Sequence, residues 1–221
     1  MRGFNAIAFI LLIALFAGCT QTKQTRKVET SGFLGDYSML QEGKEGEALL
    51  LYLNPNADWA SYDKLLFESV SIWHGKDSNM DDVPKADLQR LANYLHTAIV
   101  KNLRADYEIV NEPGPGVLRI RMAITDAEKS KDVLDVFFTI EQQNLHLPGG
   151  KVMTIDAGSV AGRVEIEAEI TDAGNGVMLA AAVDNRSGSK SDLKASWNDV
   201  EQAFQYWAER LSQRLRELRV K

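Results

Sequence analysis

The sequence predicts an α+β fold, with a mainly antiparallel or mixed sheet and two amphipathic helices packed on one face. Apolar residues at spacings of three and four predict helices over residues 84–103 and 196–218. Segments with apolar side chains at alternate positions, separated by Gly- and Pro-rich turns, predict strands. Two helices this far apart are too few for a doubly wound parallel sheet, in which helices alternate with strands.

The first predicted elements are a strand over residues 65–73 and a helix that follows a polar turn. Pro84 lies in the first turn of this helix, where a missing backbone N–H costs nothing. The apolar stripe of the helix consists of Leu88, Leu91, Ala92, Leu95, Ile99 and Leu103. A short strand over residues 107–110 comes next.

Residues 117–125 show the alternation of a half-buried strand, with Arg119 and Arg121 on one face. The opposite face carries Leu118, Ile120, Met122 and Ile124. Residues 133–140 are apolar and fit either a helix or a strand, with a weak preference for a strand. The sequence otherwise leaves the structure of residues 126–160 open.

A β-hairpin is predicted from residues 163–171 and 177–184, joined by a turn that contains two glycines. Glu165, Glu167 and Glu169 lie on one face of its first strand. The favoured interpretation pairs them across the sheet with arginines of residues 117–125, each pair worth roughly 0.2 to 1 kcal/mol. The alternative is a carboxylate surface that binds a basic partner or calcium, although the spacing of a calcium loop is missing.

The last helix is predicted to open with a capping box formed by Ser196 and Asp199. Its stripe consists of Trp197, Val200, Phe204, Trp207, Leu211, Leu215 and Leu218. The two tryptophans of the stripe are expected in the core. Trp59 and Trp73 have no place in a periodic pattern and are candidates for a surface groove.

The N-terminus has the features of a signal peptide over residues 1–18: Arg2, an apolar core, and small residues before Cys19. The apolar core is shorter than the ~20 residues of a membrane-spanning helix. Small residues followed by cysteine resemble the bacterial lipobox, and this resemblance implies acylation of Cys19. Phe16 stands where the lipobox usually has an aliphatic residue. The alternative to a lipoprotein is an ordinary secreted protein, from which the same signal peptide is cleaved.

Residues 20–30 are polar and without apolar periodicity, so we expect residues 19–30 to be a lipidated cysteine with a flexible tether. Residues 31–221 are then expected to form a single periplasmic domain. Thr20 stands where aspartate would retain a lipoprotein in the inner membrane, which favours the outer membrane, facing the periplasm. The net charge of −6 argues against nucleic acid as a partner.

No catalytic or metal-binding constellation emerges from the sequence, and no cofactor is expected. His74, His96 and His146 lack the spacing of metal ligands, and the single cysteine has no cysteine partner. Ser159 and Asp156, together with His146, are the least implausible hydrolase group, clustered only in sequence.

Four segments resemble a family of uncharacterised bacterial lipoproteins. They are residues 31–38 (SGFLGDYS), residues 54–59 with Tyr62, the Pro-Gly-Pro-Gly turn, and residues 167–172. The resemblance covers most of the chain after Cys19 but implies no catalytic residue, because the family has no established activity.

The leading expectation is a non-enzymatic outer-membrane lipoprotein whose domain binds another envelope component, a protein or a glycan. The alternative is a carrier of a small apolar or cell-wall-derived ligand, which an internal apolar cavity would favour. An envelope hydrolase is the third hypothesis. The sequence leaves the oligomeric state open.

Overall fold

The computed structural model describes residues 22–25, 30–75, 78–132, 161–188 and 196–220. The predicted signal peptide, Cys19, and the weak strand over residues 133–140 lie outside the described residues. Within them, nine strands form one mixed sheet, and two helices cover one of its faces. The predicted α+β class is confirmed.

The strands are β1 (Thr22–Gln24), β2 (Gln41–Glu42), β3 (Leu50–Leu53), β4 (Lys64–Phe67), β5 (Ser71–Ile72), β6 (Glu108–Ile109), β7 (Val117–Glu128), β8 (Arg163–Asp172) and β9 (Met178–Gly188). The helices are α1 (Lys85–Leu103) and α2 (Asn198–Arg219). The sheet order is β2-β3-β9-β8-β7-β4-β6. β8 is antiparallel to both of its neighbours, β7 and β9, whereas β4 pairs in parallel with β6 and β7, and β5 pairs in parallel with β7.

Both predicted helices and the β8–β9 hairpin are present, but one strand prediction needs correction. The single strand predicted over residues 65–73 is divided into β4 and β5. Phe67 pairs with Ile120, and Ser71 pairs with Ala123. The segment from β4 to β5 therefore advances four residues while β7 advances three. The extra residue interrupts the ladder, as in a β-bulge.

The tether prediction is wrong for residues 22–24, which form β1 and pair with the end of β9. Polar composition gave no sign of this pairing, because a short edge strand needs few apolar side chains. β3 was also not predicted, since its sequence, Leu-Leu-Tyr-Leu, lacks alternation.

The hydrophobic core lies between the helices and the face of the sheet that carries the apolar residues of β7. Phe204 and Leu215 of α2 and Leu95 of α1 are almost completely buried there. Trp197 and Trp207 are buried as expected. α2 begins at Asn198 and not directly after Ser196, the first residue of the predicted capping box. Neither described helix has both the length and the apolar character needed to cross a membrane.

Candidate functional site

An apolar cavity of about 170 Å³ lies between α2 and the sheet. Strands β3, β7, β8 and β9 form its floor, and one face of α2 forms its roof. Leu51 and Leu53 of β3 and Leu211 of α2 line it and are half-buried, so the cavity reaches solvent between β3 and α2. Trp59 closes another part of the wall.

Small side chains at the centre of the sheet leave this space. Ala168 of β8 pairs with Ala182 of β9, and Ala180 pairs with Ile170 in the next row. All three alanines line the cavity and keep part of their surface accessible, although they belong to interior strands. A larger side chain in any of these positions would extend toward α2 and occupy the cavity.

Two arginines of α2 join the rim of the cavity to the loop before β3. Arg210 donates to the carbonyl oxygen of Gly46 from Nη2 (2.9 Å) and Nε (3.1 Å). Arg214 forms ion pairs with Glu47 (3.4 Å) and Glu217 (3.2 Å). The contacts with Gly46 and Glu47 hold the loop against α2 at the opening.

Asp184 is the buried charged group of the cavity wall. Its carboxylate accepts hydrogen bonds from Trp207 Nε1 (2.6 Å) and from Gln24 Nε2 (2.6 Å). Burial raises the pKa of this carboxyl above its ordinary value, and the two hydrogen bonds oppose that shift. Because both oxygens already have partners, Asp184 supports the wall rather than presenting a free charge.

On the opposite face of the sheet, Glu169 lies in the cross-strand pair that the favoured interpretation predicts. Arg121 is directly opposite Glu169 in the ladder, and its Nη1 lies 2.5 Å from the carboxylate. Arg119 pairs instead with Glu68, which follows β4. Glu169 is buried, and Arg121 balances its charge within the sheet.

Glu167 is fully buried and binds the segment that precedes β2. It accepts hydrogen bonds from the Ser31 backbone N–H (2.7 Å), Tyr37 Oη (2.5 Å) and, more weakly, the Leu34 N–H (3.4 Å). A side chain that looked like part of an exposed acidic row therefore orders a loop.

Glu165 is also buried and has neutral partners. Thr125 Oγ1 and Asn185 Nδ2 each lie 3.1 Å from its carboxyl oxygens. Burial raises its pKa to about 7, against the effect of these two hydrogen bonds. The three glutamates thus do not form an exposed carboxylate surface, and a role in partner binding stays a prediction.

The two candidate tryptophans have different environments. Trp59 is only 6% exposed and belongs to the core beside the cavity, which corrects its placement in a surface groove. Trp73 is 41% exposed and packs edge-on against Phe33, with ring centroids 5.7 Å apart. The Arg121 guanidinium lies 5.1 Å from the centre of the Phe33 ring.

Ser159, His146 and Asp156, the hydrolase group, lie outside the described residues, as does Cys19. Within the described ranges, no group of three or more His, Cys, Asp or Glu side chains could hold a metal ion. The chemistry that the cavity itself supports is the binding of an apolar molecule.

Sequence reasoning missed the cavity because its walls come from elements distant in the chain. One local signal was present, the run Ala180, Ala181 and Ala182 within a predicted strand. Alanine is depleted in strands, so three in succession indicate a place where neighbouring elements leave room.

The family model DUF3313, described as "Protein of unknown function", matches residues 29–211. The uncharacterized lipoprotein YdcL of Escherichia coli (strain K12) is 26% identical over 192 residues, which are 86% of this chain and 84% of YdcL.

Two solved structures show weaker similarity. The PelC dodecamer from Paraburkholderia phytofirmans is 16% identical with a TM-score of 0.40, over 73% of this chain and 94% of that one. A DUF4136 family protein from Bacteroides thetaiotaomicron is 8% identical with a TM-score of 0.36, over 76% and 94%. Similarity at this level carries no functional argument.

Proposed function

The chain belongs to the DUF3313 family, and we propose that it is a lipid-anchored, non-enzymatic binding protein of the bacterial envelope. Its similarity to the lipoprotein YdcL supports the anchor, as does the position of Cys19 after an apolar segment and small residues. The location that follows is the outer membrane, with the domain facing the periplasm.

The bound molecule is a small apolar ligand, and the cavity under α2 is the observation that carries this proposal. Its volume of about 170 Å³ exceeds the roughly 150 Å³ of an engineered apolar cavity that binds benzene. A ligand can enter the cavity between the half-buried leucines at its opening. The ligand is therefore a molecule of about benzene size, or an apolar branch of a larger one.

Leucine in place of Ala168 is expected to abolish ligand binding. Ala168 lies at the centre of the cavity floor, so the added carbon atoms occupy the space that the ligand needs. Calorimetric titration with benzene or indole should give a Kd of about 1 mM or tighter for the unmodified protein, and no measurable heat for Ala168→Leu.

Ala60→Leu is the matched control, because Ala60 is exposed and the same atoms are added outside the cavity. Binding should survive that change. Native mass spectrometry of the protein purified from its membrane should also reveal a co-purifying small molecule. If the unmodified protein binds neither benzene nor indole, the carrier function is refuted.

A second candidate function, docking of a protein or glycan of the envelope, is favoured by the exposed ring of Trp73. Tryptophan and arginine are enriched among residues that dominate binding energy at interfaces. Trp73 lies beside Phe33 and Arg121 on the face of the sheet opposite the helices. This arrangement offers a partner an exposed indole ring beside Phe33.

A photo-crosslinking residue in place of Trp73 is expected to capture a defined partner in intact cells. The same residue in place of Val177, an exposed apolar position elsewhere on the surface, should capture much less. Capture should also fall in a Cys19→Ser background, because the unacylated protein is not held at the membrane. Equal capture from positions 73 and 177 would exclude a specific partner at Trp73.

A further inference from the structure

We propose that the end of the sheet where β1 pairs with β9 faces the membrane and contacts anionic lipid headgroups. We call it the proximal end; it comprises Thr22, Glu128, Arg163 and Gly188, which lie at the ends of β1, β7, β8 and β9. The inference rests on the proposed acylation of Cys19 and adds an orientation to it.

β1 aligns with the last residues of β9. Thr22 is opposite Gly188, and Gln24 is opposite Arg186. The pairing continues past β1, since the Thr25 N–H donates to the Asn185 carbonyl oxygen (3.1 Å). The chain that follows Cys19 is therefore part of the sheet at residues 22–24.

Buried side chains hold β1 in this position. Arg186 donates to Thr22 Oγ1 (2.9 Å) and to the Thr22 carbonyl oxygen (2.7 Å), and its guanidinium lies 3.6 Å from the centre of the Tyr206 ring. Gln24 Nε2 donates to the Glu47 carbonyl oxygen (2.8 Å) as well as to Asp184. Charged and stacked contacts of this kind distinguish a docked strand from a free linker.

The covalent chain limits how far the lipid can lie from the proximal end. Consecutive Cα atoms are 3.8 Å apart, so the three steps from Cys19 to Thr22 span at most about 11 Å. An acylated Cys19 lies at the membrane surface. Thr22 and Gly188 must then lie close to the headgroups as well.

Exposed lysines at this end fit an anionic lipid surface. Lys23 projects from β1, and Lys129 and Lys131 follow the end of β7. Glu128 is paired with Lys131 (3.2 Å) and Asp126 with Arg163 (3.0 Å), so these two acidic charges are offset. Lys23 and Lys129 are attracted by an anionic leaflet, which turns this end toward the lipid.

The opposite end of the sheet is far enough away to be distinguished. β7 contains 12 residues, which at about 3.3 Å per residue separate its two ends by roughly 35 Å. Glu112 lies in the exposed turn before β7, at the distal end. A sheet standing on its proximal end places Glu112 well away from the lipid.

Energy transfer from single labels to a lipid-bound acceptor tests the orientation. Because Cys19 is the only cysteine and its sulfur is acylated, a cysteine introduced as Lys129→Cys or Glu112→Cys can be labelled alone. The acylated full-length protein is reconstituted in vesicles of phosphatidylethanolamine and phosphatidylglycerol. We expect transfer from position 129 to be several-fold more efficient than from position 112.

Equal transfer from the two positions, or greater transfer from position 112, would overturn the orientation. Neutral phosphatidylcholine vesicles should reduce the difference, and an unchanged difference would refute the contact with anionic headgroups. A flexible insert of about fifteen Gly and Ser residues after Cys19, with a mean reach of roughly 20 Å, should also reduce it. If the insert has no effect, the position of β1 does not set the orientation.

The anchor is tested separately by flotation of the unlabelled protein with the vesicles. Cys19→Ser should abolish flotation and energy transfer from both positions. If the unmodified protein does not float, the proposed anchor fails, and the orientation fails with it. If it floats and the labels transfer equally, the orientation alone fails.

Discussion

Replacement of Glu167 by alanine is expected to lower the free energy of unfolding by about 3 kcal/mol, because it removes a fully buried acceptor and leaves its half-buried donors unpaired. The Ser31 N–H and the Tyr37 hydroxyl both donate to Glu167 at short distances. An unsatisfied buried donor costs roughly 1–3 kcal/mol, and the Leu34 N–H adds a weaker loss. Urea unfolding at neutral pH measures the effect.

Glu42→Ala is the control, because Glu42 is exposed on β2 and the same change there should stay within about 0.5 kcal/mol. Glu167→Gln keeps the volume and one acceptor oxygen, so we expect about half the loss. Hydrogen exchange should show faster opening of the Ser31 amide in both Glu167 variants. A loss below about 1 kcal/mol for Glu167→Ala would mean that this loop does not depend on the carboxylate.

Replacement of Glu165 by glutamine is expected to stabilise the protein at pH 8 by up to about 3 kcal/mol and to have little effect near pH 4. Burial raises the pKa of Glu165 from 4.5 to about 7 in the folded protein. Glutamine resembles the neutral carboxyl group in shape. It can accept from Asn185 Nδ2 and donate to Thr125 Oγ1, so both partners stay satisfied.

The sign of the pH dependence follows from proton binding. Between pH 4.5 and about 7 the folded state retains the proton of Glu165 while the unfolded state loses it, so the stability of the unmodified protein falls as pH rises through this window. Glutamine has no proton to lose, so this part of the slope should vanish. Thermal unfolding of both proteins from pH 4 to pH 8 measures it.

For comparison, Glu42→Gln on the exposed surface should shift stability by no more than about 0.5 kcal/mol at either pH. If Glu165→Gln destabilises the protein at pH 8, the ionised carboxylate is favoured in the folded state. The predicted direction would then be wrong.

Periodicity was sufficient for the elements that bury one continuous face. α1, α2, β7 and the β8–β9 hairpin each carry apolar residues at the spacing of their own secondary structure, and each appears where predicted. Short edge strands were not predictable in this way. β1 pairs through backbone hydrogen bonds and polar side chains, which leave no apolar pattern in the sequence.

The three glutamates show a further limit of reasoning from alternation. The alternation of side chains along a strand correctly placed Glu165, Glu167 and Glu169 on one face of β8. It did not reveal what covers that face, because the loop that binds Glu167 begins 136 positions earlier in the chain. The Arg121–Glu169 pair was predictable because both strands already showed alternating charge.

The sequence by itself determined the α+β class, the two helices and the central hairpin, because each depends on patterns within a short stretch of chain. It also predicted Cys19 as an anchor, from a local motif. Only the tertiary structure decided that the glutamates are buried, that three alanines of two strands border a cavity under α2, and that residues after Cys19 join the sheet. These features depend on contacts between distant segments, which local patterns do not encode.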